Sequence, residues 1–134
     1  MKKILKNKKG FTLIELLAVI VVLAIIMVIA TQQVNGTIKK SRGNSFYETA
    51  QFIRKGMQTV CASDNKISTD TLNAAVEAKD VTIAVSTNKV TVTADEGGKF
   101  VNITKPTDYN KSIYTWNTDT TIEFATECPT ETSE

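Results

Sequence analysis

Lys9-Gly10-Phe11-Thr12-Leu13-Ile14-Glu15-Leu16-Leu17-Ala18-Val19-Ile20-Val21-Val22-Leu23-Ala24-Ile25-Ile26-Met27-Val28-Ile29-Ala30 decides how this chain is read. From Phe11 to Ala30 there are 20 residues, and only Thr12 and Glu15 are polar. At about 1.5 Å per residue, a helix of that length is roughly 30 Å long, the thickness of a bilayer's hydrocarbon core. The segment can therefore span a membrane. The stretch before it, Met1 to Gly10, carries Lys2, Lys3, Lys6, Lys8 and Lys9. Five lysines on one flank favour keeping that flank in the cytoplasm. A conventional secretory signal expects small residues after its apolar core, and Ala30-Thr31-Gln32 is a poor Ala-x-Ala site. An uncleaved signal anchor is the plainer alternative.

Glu15 sets this span apart from an ordinary one. A charge deep in a bilayer costs on the order of 2.5–3.5 kcal/mol, so it calls for a partner. Near a helix start, a negative charge is favoured by the macrodipole. Were the chain cut after Gly10, Phe11 would gain an α-amine that is positive at neutral pH, about one helical turn from Glu15.

Lys9 to Glu15, with the apolar run that follows, resembles the N-terminus of type IV pilins and their pilin-like relatives. The resemblance covers about the first quarter of the chain. It implies removal of a basic leader by prepilin peptidase after Gly10, and methylation of Phe11. It implies that Glu15 is needed for assembly, pairing with the Phe11 amine of a neighbouring subunit. In a dry filament core, unpaired charges are costly, and pairing fixes the axial register of neighbouring helices. Many family members hold a proline at the position of Gln32. Here the first proline is Pro106, so a proline-linked kink is not expected.

Past Ala30 the pattern stays helical and becomes amphipathic. Val34, Ile38, Phe46, Ala50, Ile53, Met57 and Val60/Cys61 recur at three- and four-residue steps, with Glu48, Gln51, Lys55 and Gln58 opposite. One helix is expected from Phe11 to Ala62, roughly 75–80 Å long, with Gly36 and Gly43 as its weak points. Lys39, Lys40 and Arg42 read as a solvated charge run, with contact to lipid head groups or a neighbouring subunit as the functional alternative.

Ser63-Asp64-Asn65-Lys66 is expected to end the helix, and Thr69-Asp70-Thr71 to cap a short one from Leu72 to Ala78. Strands are expected at Val81 to Ser86 and Lys89 to Ala94, joined tightly at Thr87-Asn88. Asp95-Glu96-Gly97-Gly98 reads as a turn with too few spaced oxygens for calcium. It leads into a third run, Lys99 to Thr104, and Ile122 to Thr126 adds a fourth. Lys105 to Thr120 reads as a loop. Its Tyr109, Tyr114 and Trp116 are expected to pack on the sheet rather than form an adhesive patch. The strand threonines read as a solvent face.

These elements make an α+β fold, a long N-terminal helix packed on a small antiparallel sheet, in agreement with the pilin fold. The expected parts are a cleaved leader (1–10), a transmembrane and filament-core helix (11–30), an amphipathic continuation (31–62) and a globular head (63–134). Cys61 ends the helix on its apolar face, and Cys128 lies near the C-terminus. An exported head sits in an oxidising place, so a Cys61–Cys128 bridge is expected, with two free thiols as the alternative.

Composition narrows the function. The 134 residues suit one small domain and one span, and the net charge is +2 from 16 basic and 14 acidic side chains. Loss of the leader removes five lysines and leaves 11 basic against 14 acidic residues, or −3. The head thus gives no charge argument for nucleic-acid binding. There is no histidine, so the usual general base and metal ligand are missing. No phosphate loop or catalytic triad pattern occurs. Catalytic, cofactor and metal residues are accordingly expected to be none, and the protein is not expected to be an enzyme. The resemblance implies a pilus subunit acting in adhesion, motility, biofilm formation or DNA uptake. Its partners would be copies of itself, prepilin peptidase, the assembly machinery and, before assembly, the membrane. Its final location would be extracellular. A pseudopilin of a type II secretion system or a competence pilin shares the same motif. A signal-anchored enzyme or binding domain is the remote alternative.

Overall fold

A computed structural model describes residues 12–64 and 66–130. The chain divides into two compact units, Met1–Thr37 and Ile38–Glu134.

In the first unit the described residues are the beginning of α1, which runs Leu13–Asp64. The Thr12 carbonyl opens the helix by accepting from the Glu15 amide at 2.9 Å. Its large apolar side chains all face outward, Leu13 at 86% exposure and Val21 at 49%. Where a polar residue interrupts the run, its hydroxyl turns back to the helix. Thr31 Oγ1 donates to the Val28 carbonyl at 2.9 Å, and Thr37 Oγ1 to that of Gln33 at 3.0 Å.

The second unit holds the remainder of α1, a short α2 (Thr69–Ala75) and one sheet of β1 (Val81–Val85), β2 (Lys89–Ala94), β3 (Tyr114–Thr118) and β4 (Thr121–Ala125). All neighbours are antiparallel, in the order β1-β2-β4-β3. This is the α+β architecture the sequence predicts. The registers align two apolar rows across the sheet. Ile83, Val92, Ile122 and Trp116 form one, and Val85, Val90, Phe124 and Tyr114 the other. Phe46, Ala50, Ile53 and Met57 of α1 are completely buried in the core with these rows. Phe46 meets Trp116 edge-on at 5.6 Å and Phe100 at 5.3 Å between ring centroids. Alternation puts Thr82, Thr93 and Thr121 in one row on the opposite face, and a register shift after Trp116 brings Thr118 opposite Thr121.

Several expectations need correction. The helix continues past Ala62 to Asp64, and the Ser63 hydroxyl supports the last turn by donating to Thr59 at 3.0 Å. Asn65, within the expected terminating turn, lies outside the described residues. The short helix begins earlier than expected, because Ser68 is its N-cap. Ser68 Oγ accepts from the Thr71 amide at 3.2 Å, and Thr71 Oγ1 accepts from the Ser68 amide at 2.8 Å. That reciprocal box satisfies two donors otherwise left open at a helix start.

Lys99 to Thr104 is not a strand. Asn102 adopts φ 51°, which breaks an extended run, and the segment bonds to α1 instead of the sheet. The Thr104 amide donates to the Lys39 carbonyl at 3.0 Å, and Arg42 donates to the Val101 carbonyl at 2.9 Å. Conversely, the expected loop from Lys105 to Thr120 contains β3. Tyr114 and Trp116 point inward from it and Thr115 and Asn117 outward, and Asp119-Thr120 closes the hairpin to β4.

Candidate functional site

The assembly positions named from sequence fall at the start of the chain. Gly10 and Phe11 lie outside the described residues. Glu15 is the acidic residue of the first turn of α1, exposed among Leu13, Ile14, Leu16 and Leu17. The free amides of a helix start carry partial positive charge, so a carboxylate is least costly there. The apolar surface that follows, from Leu16 to Ile29, is uninterrupted by any charged residue. Glu15 is thus a single carboxylate at the head of a long apolar surface.

The head contributes a second construction, which ties the C-terminal segment to α1. Cys61 and Cys128 form a disulfide with Cα atoms 5.6 Å apart. One turn and two turns earlier, Gln58 and Arg54 reach the neighbouring Glu127. Gln58 Nε2 donates to both carboxylate oxygens at 3.1 Å, and Arg54 forms an ion pair with Glu127. Farther along, Ile67 makes a parallel bridge to Thr130, its amide donating to the Pro129 carbonyl at 3.0 Å. Ion pairs this exposed contribute little singly. Here they share one short segment with a covalent link. Burial pushes the Tyr114 phenol above its ordinary value, against the opposing pull of the Arg54 guanidinium.

Sequence reasoning missed the part played by two glycines. Gly43 is buried where Thr104 crosses α1, and a Cβ there would collide with the Thr104 carbonyl oxygen. A Cβ at Gly56 would strike the Val76 side chain. Gly43 is therefore a point of close approach and not a weak point. Its spacing to Phe46 and Ala50 on the apolar face was the available signal. Gly36 has open space around it. The aromatic residues do pack. Tyr114 and Trp116 are buried, and Tyr109 is half-buried, with Tyr47 edge-on to both Tyr114 and Tyr109.

Residues 5–31 match the prokaryotic N-terminal methylation motif. The matched stretch contains the leader junction, Glu15 and the apolar run, and this motif marks type IV pilins and pseudopilins. The N-terminal region of the chain carries the leader and apolar helix of type IV pilin-like proteins. Its leader implies processing by prepilin peptidase and handling by an assembly machinery, and with its apolar helix it fits a membrane-anchored prepilin. No curated protein and no solved structure matches the chain significantly. The methylation motif stops at residue 31, so the pilin-like assignment rests on the N-terminal region and leaves the function of the head to its own structure.

Proposed function

We propose that this protein is a structural subunit of a type IV pilus, and that it works by assembly rather than catalysis. Cleavage after Gly10 frees the Phe11 amine. Glu15 of one subunit pairs with that amine on its neighbour, and the apolar surfaces of α1 exchange lipid for one another in the filament core. The heads form the outer surface. The observation that carries this reading is the methylation motif joined to a first-turn carboxylate on an outward-facing apolar helix. The tied-down C-terminal segment supports it, because a subunit under load needs a tail that does not unravel.

The deciding experiment is the intact mass of the native protein in membranes and in material sheared from cells. A sheared species beginning at methylated Phe11 is expected. A processed species confined to membranes would replace the pilus subunit with a pseudopilin. An uncleaved chain in both fractions would end the assembly reading altogether.

A further inference from the structure

Three cations fall in the first turns of α1 in the head unit, and Lys99 shares a cleft with one of them, Arg42. Lys39, Lys40 and Arg42 lie within four residues, and no acidic residue occurs between Glu15 and Glu48. Arg42 and Lys99 line one shallow cleft of about 260 Å3 together with Ser41, Ser45 and Phe100. Both cations are held in place. Arg42 spends one N–H on the Val101 carbonyl at 2.9 Å, and its planar fork has further donors. The Lys99 ammonium sits 4.9 Å from the centre of the buried Phe100 ring. Neither forms an ion pair among the described residues. Of the nearby acids, Asp95 accepts from Thr82 at 2.6 Å, the Asp80 side chain lies against Gly98, and Asp119 lines a separate cleft with Lys39.

One small space is lined by an arginine, a lysine and two serines, residue types that suit a phosphate group. The position of the cleft along the chain says where that phosphate comes from. From Val34, the last outward apolar residue before Gly36, to Ser41, the first residue of the cleft, seven helical steps rise about 10 Å. Head groups occupy roughly the outer 5–8 Å of each side of a bilayer, and attraction reaches about another 8 Å through physiological salt. We propose that this cleft binds the phosphate of an anionic lipid head group. Arg42 and Lys99 make the charge contacts, Ser41 and Ser45 donate from their hydroxyls, and Lys39 and Lys40 add to the attraction toward the surface. The head is thereby held against the membrane while the subunit is anchored, and this contact is given up when the subunit leaves. The inference rests on membrane anchoring and not on filament formation.

The test uses the full chain in nanodiscs of phosphatidylcholine, with or without phosphatidylglycerol, and follows acylation of the Lys99 amine by peptide mass. Phosphatidylglycerol is expected to slow Lys99 acylation about fivefold, the effect of one basic contact to an anionic surface. Lys111, outside the cleft, serves as the reference and slows less. Arg42→Gln restores the Lys99 rate. Lys99→Gln, a change at an exposed side chain, lowers phosphatidylglycerol retention in native mass spectrometry by a similar factor. Equal Lys99 rates in both lipids, equal slowing at Lys111, or unchanged retention by Lys99→Gln would overturn the proposal. So would slowing by inorganic phosphate alone in phosphatidylcholine discs, which would make this a free-phosphate site. Slowing by duplex DNA without any by phosphatidylglycerol would overturn it in favour of nucleic acid. Failure of the chain to enter discs would break the membrane reading beneath it, an outcome distinct from entry without protection.

Discussion

From Leu13 to Val34, the large apolar side chains of α1 are 49–86% exposed, whereas Phe46, Ala50, Ile53 and Met57 are 0% exposed on one face of the same helix. The first stretch is apolar all round and finds no tertiary partner within its unit. The second is striped and acquires its partners from β1 to β4 and the Lys99–Thr104 segment. A helix of the first kind needs lipid or other helices to cover it, while one of the second kind is stabilised by its own chain. The difference teaches that one continuous element serves two tasks that can be damaged separately.

The sharpest break is a pair of crossed substitutions. Phe46→Ala removes a buried ring that touches Phe100 and Trp116, and it is expected to destabilise the head by about 3–5 kcal/mol. Glu15→Val is expected to leave the head's thermal unfolding unchanged and the leader cleaved, yet to abolish fibres in sheared material. Circular dichroism of the detergent-solubilised chain reads the first effect, and electron microscopy of sheared material the second. Normal fibres built from Glu15→Val subunits alone would dissolve the distinction, since the apolar surface would then assemble without a charge mark.

Next in size is the covalent tie. Cys61→Ser with Cys128→Ser opens a link across 67 residues. The chain-entropy argument puts the loss at roughly 4 kcal/mol. The Arg54–Glu127 pair and Gln58 remain, so the tail is expected to loosen and become sensitive to protease while the Phe46 core persists. Limited proteolysis under reducing and non-reducing conditions measures this. A tail equally protected without the bond would show that noncovalent contacts to α1 suffice.

The two glycines of α1 refine the contrast further, and they mark where sequence reasoning ran short. Gly36→Ala is expected to stabilise the helix by up to about 1 kcal/mol, because nothing surrounds that position. Gly43→Ala is expected to destabilise the head by about 1–3 kcal/mol, since Thr104 must move. Thermal unfolding of both variants in one detergent tests the opposite signs. From sequence the two glycines look alike, because propensity is local. What separates them is Thr104, 61 residues away, and the segment carrying it was itself misread as a strand. Elements governed by hydrophobic pattern were legible, namely the apolar helix, its striped continuation, β1, β2 and the hairpin between them. Glu15 is conspicuous in sequence as the one carboxylate of an apolar run, and the structure places it in the first turn of α1. The Lys99–Thr104 crossing was not, because its backbone bonds go to Lys39 and Arg42, and no local pattern announces such partners. β3 was legible in principle, since Tyr114 and Trp116 alternate with Thr115 and Asn117. It was obscured by its brevity and by the turn residues around it.

The smallest expected effect concerns the outward face of the sheet, where charge rather than packing decides. Glu123 on β4 accepts from the Lys89 ammonium at 3.0 Å and from the Thr91 hydroxyl at 3.4 Å. The Asn117 amide beside it, and then Lys89, hold its carboxyl below the ordinary value of 4.5. A carboxyl lowered in the folded state adds stability that is fully present above its unfolded value. That stability is lost as pH falls through the lower, folded value. The head should therefore lose a small increment of stability on acidification below about 4.5, and Glu123→Gln should remove that part of the slope. Lys89 is half exposed, so screening keeps the increment below about 1 kcal/mol, and salt should shrink it further. Urea unfolding of the wild-type and Glu123→Gln chains at several pH values below neutrality measures the difference. If both chains keep the same slope, the acid response belongs to other carboxylates. A lost slope would instead place a pH-sensitive contact on the Thr-rich face of the sheet, remote from the buried residues that hold the head on α1.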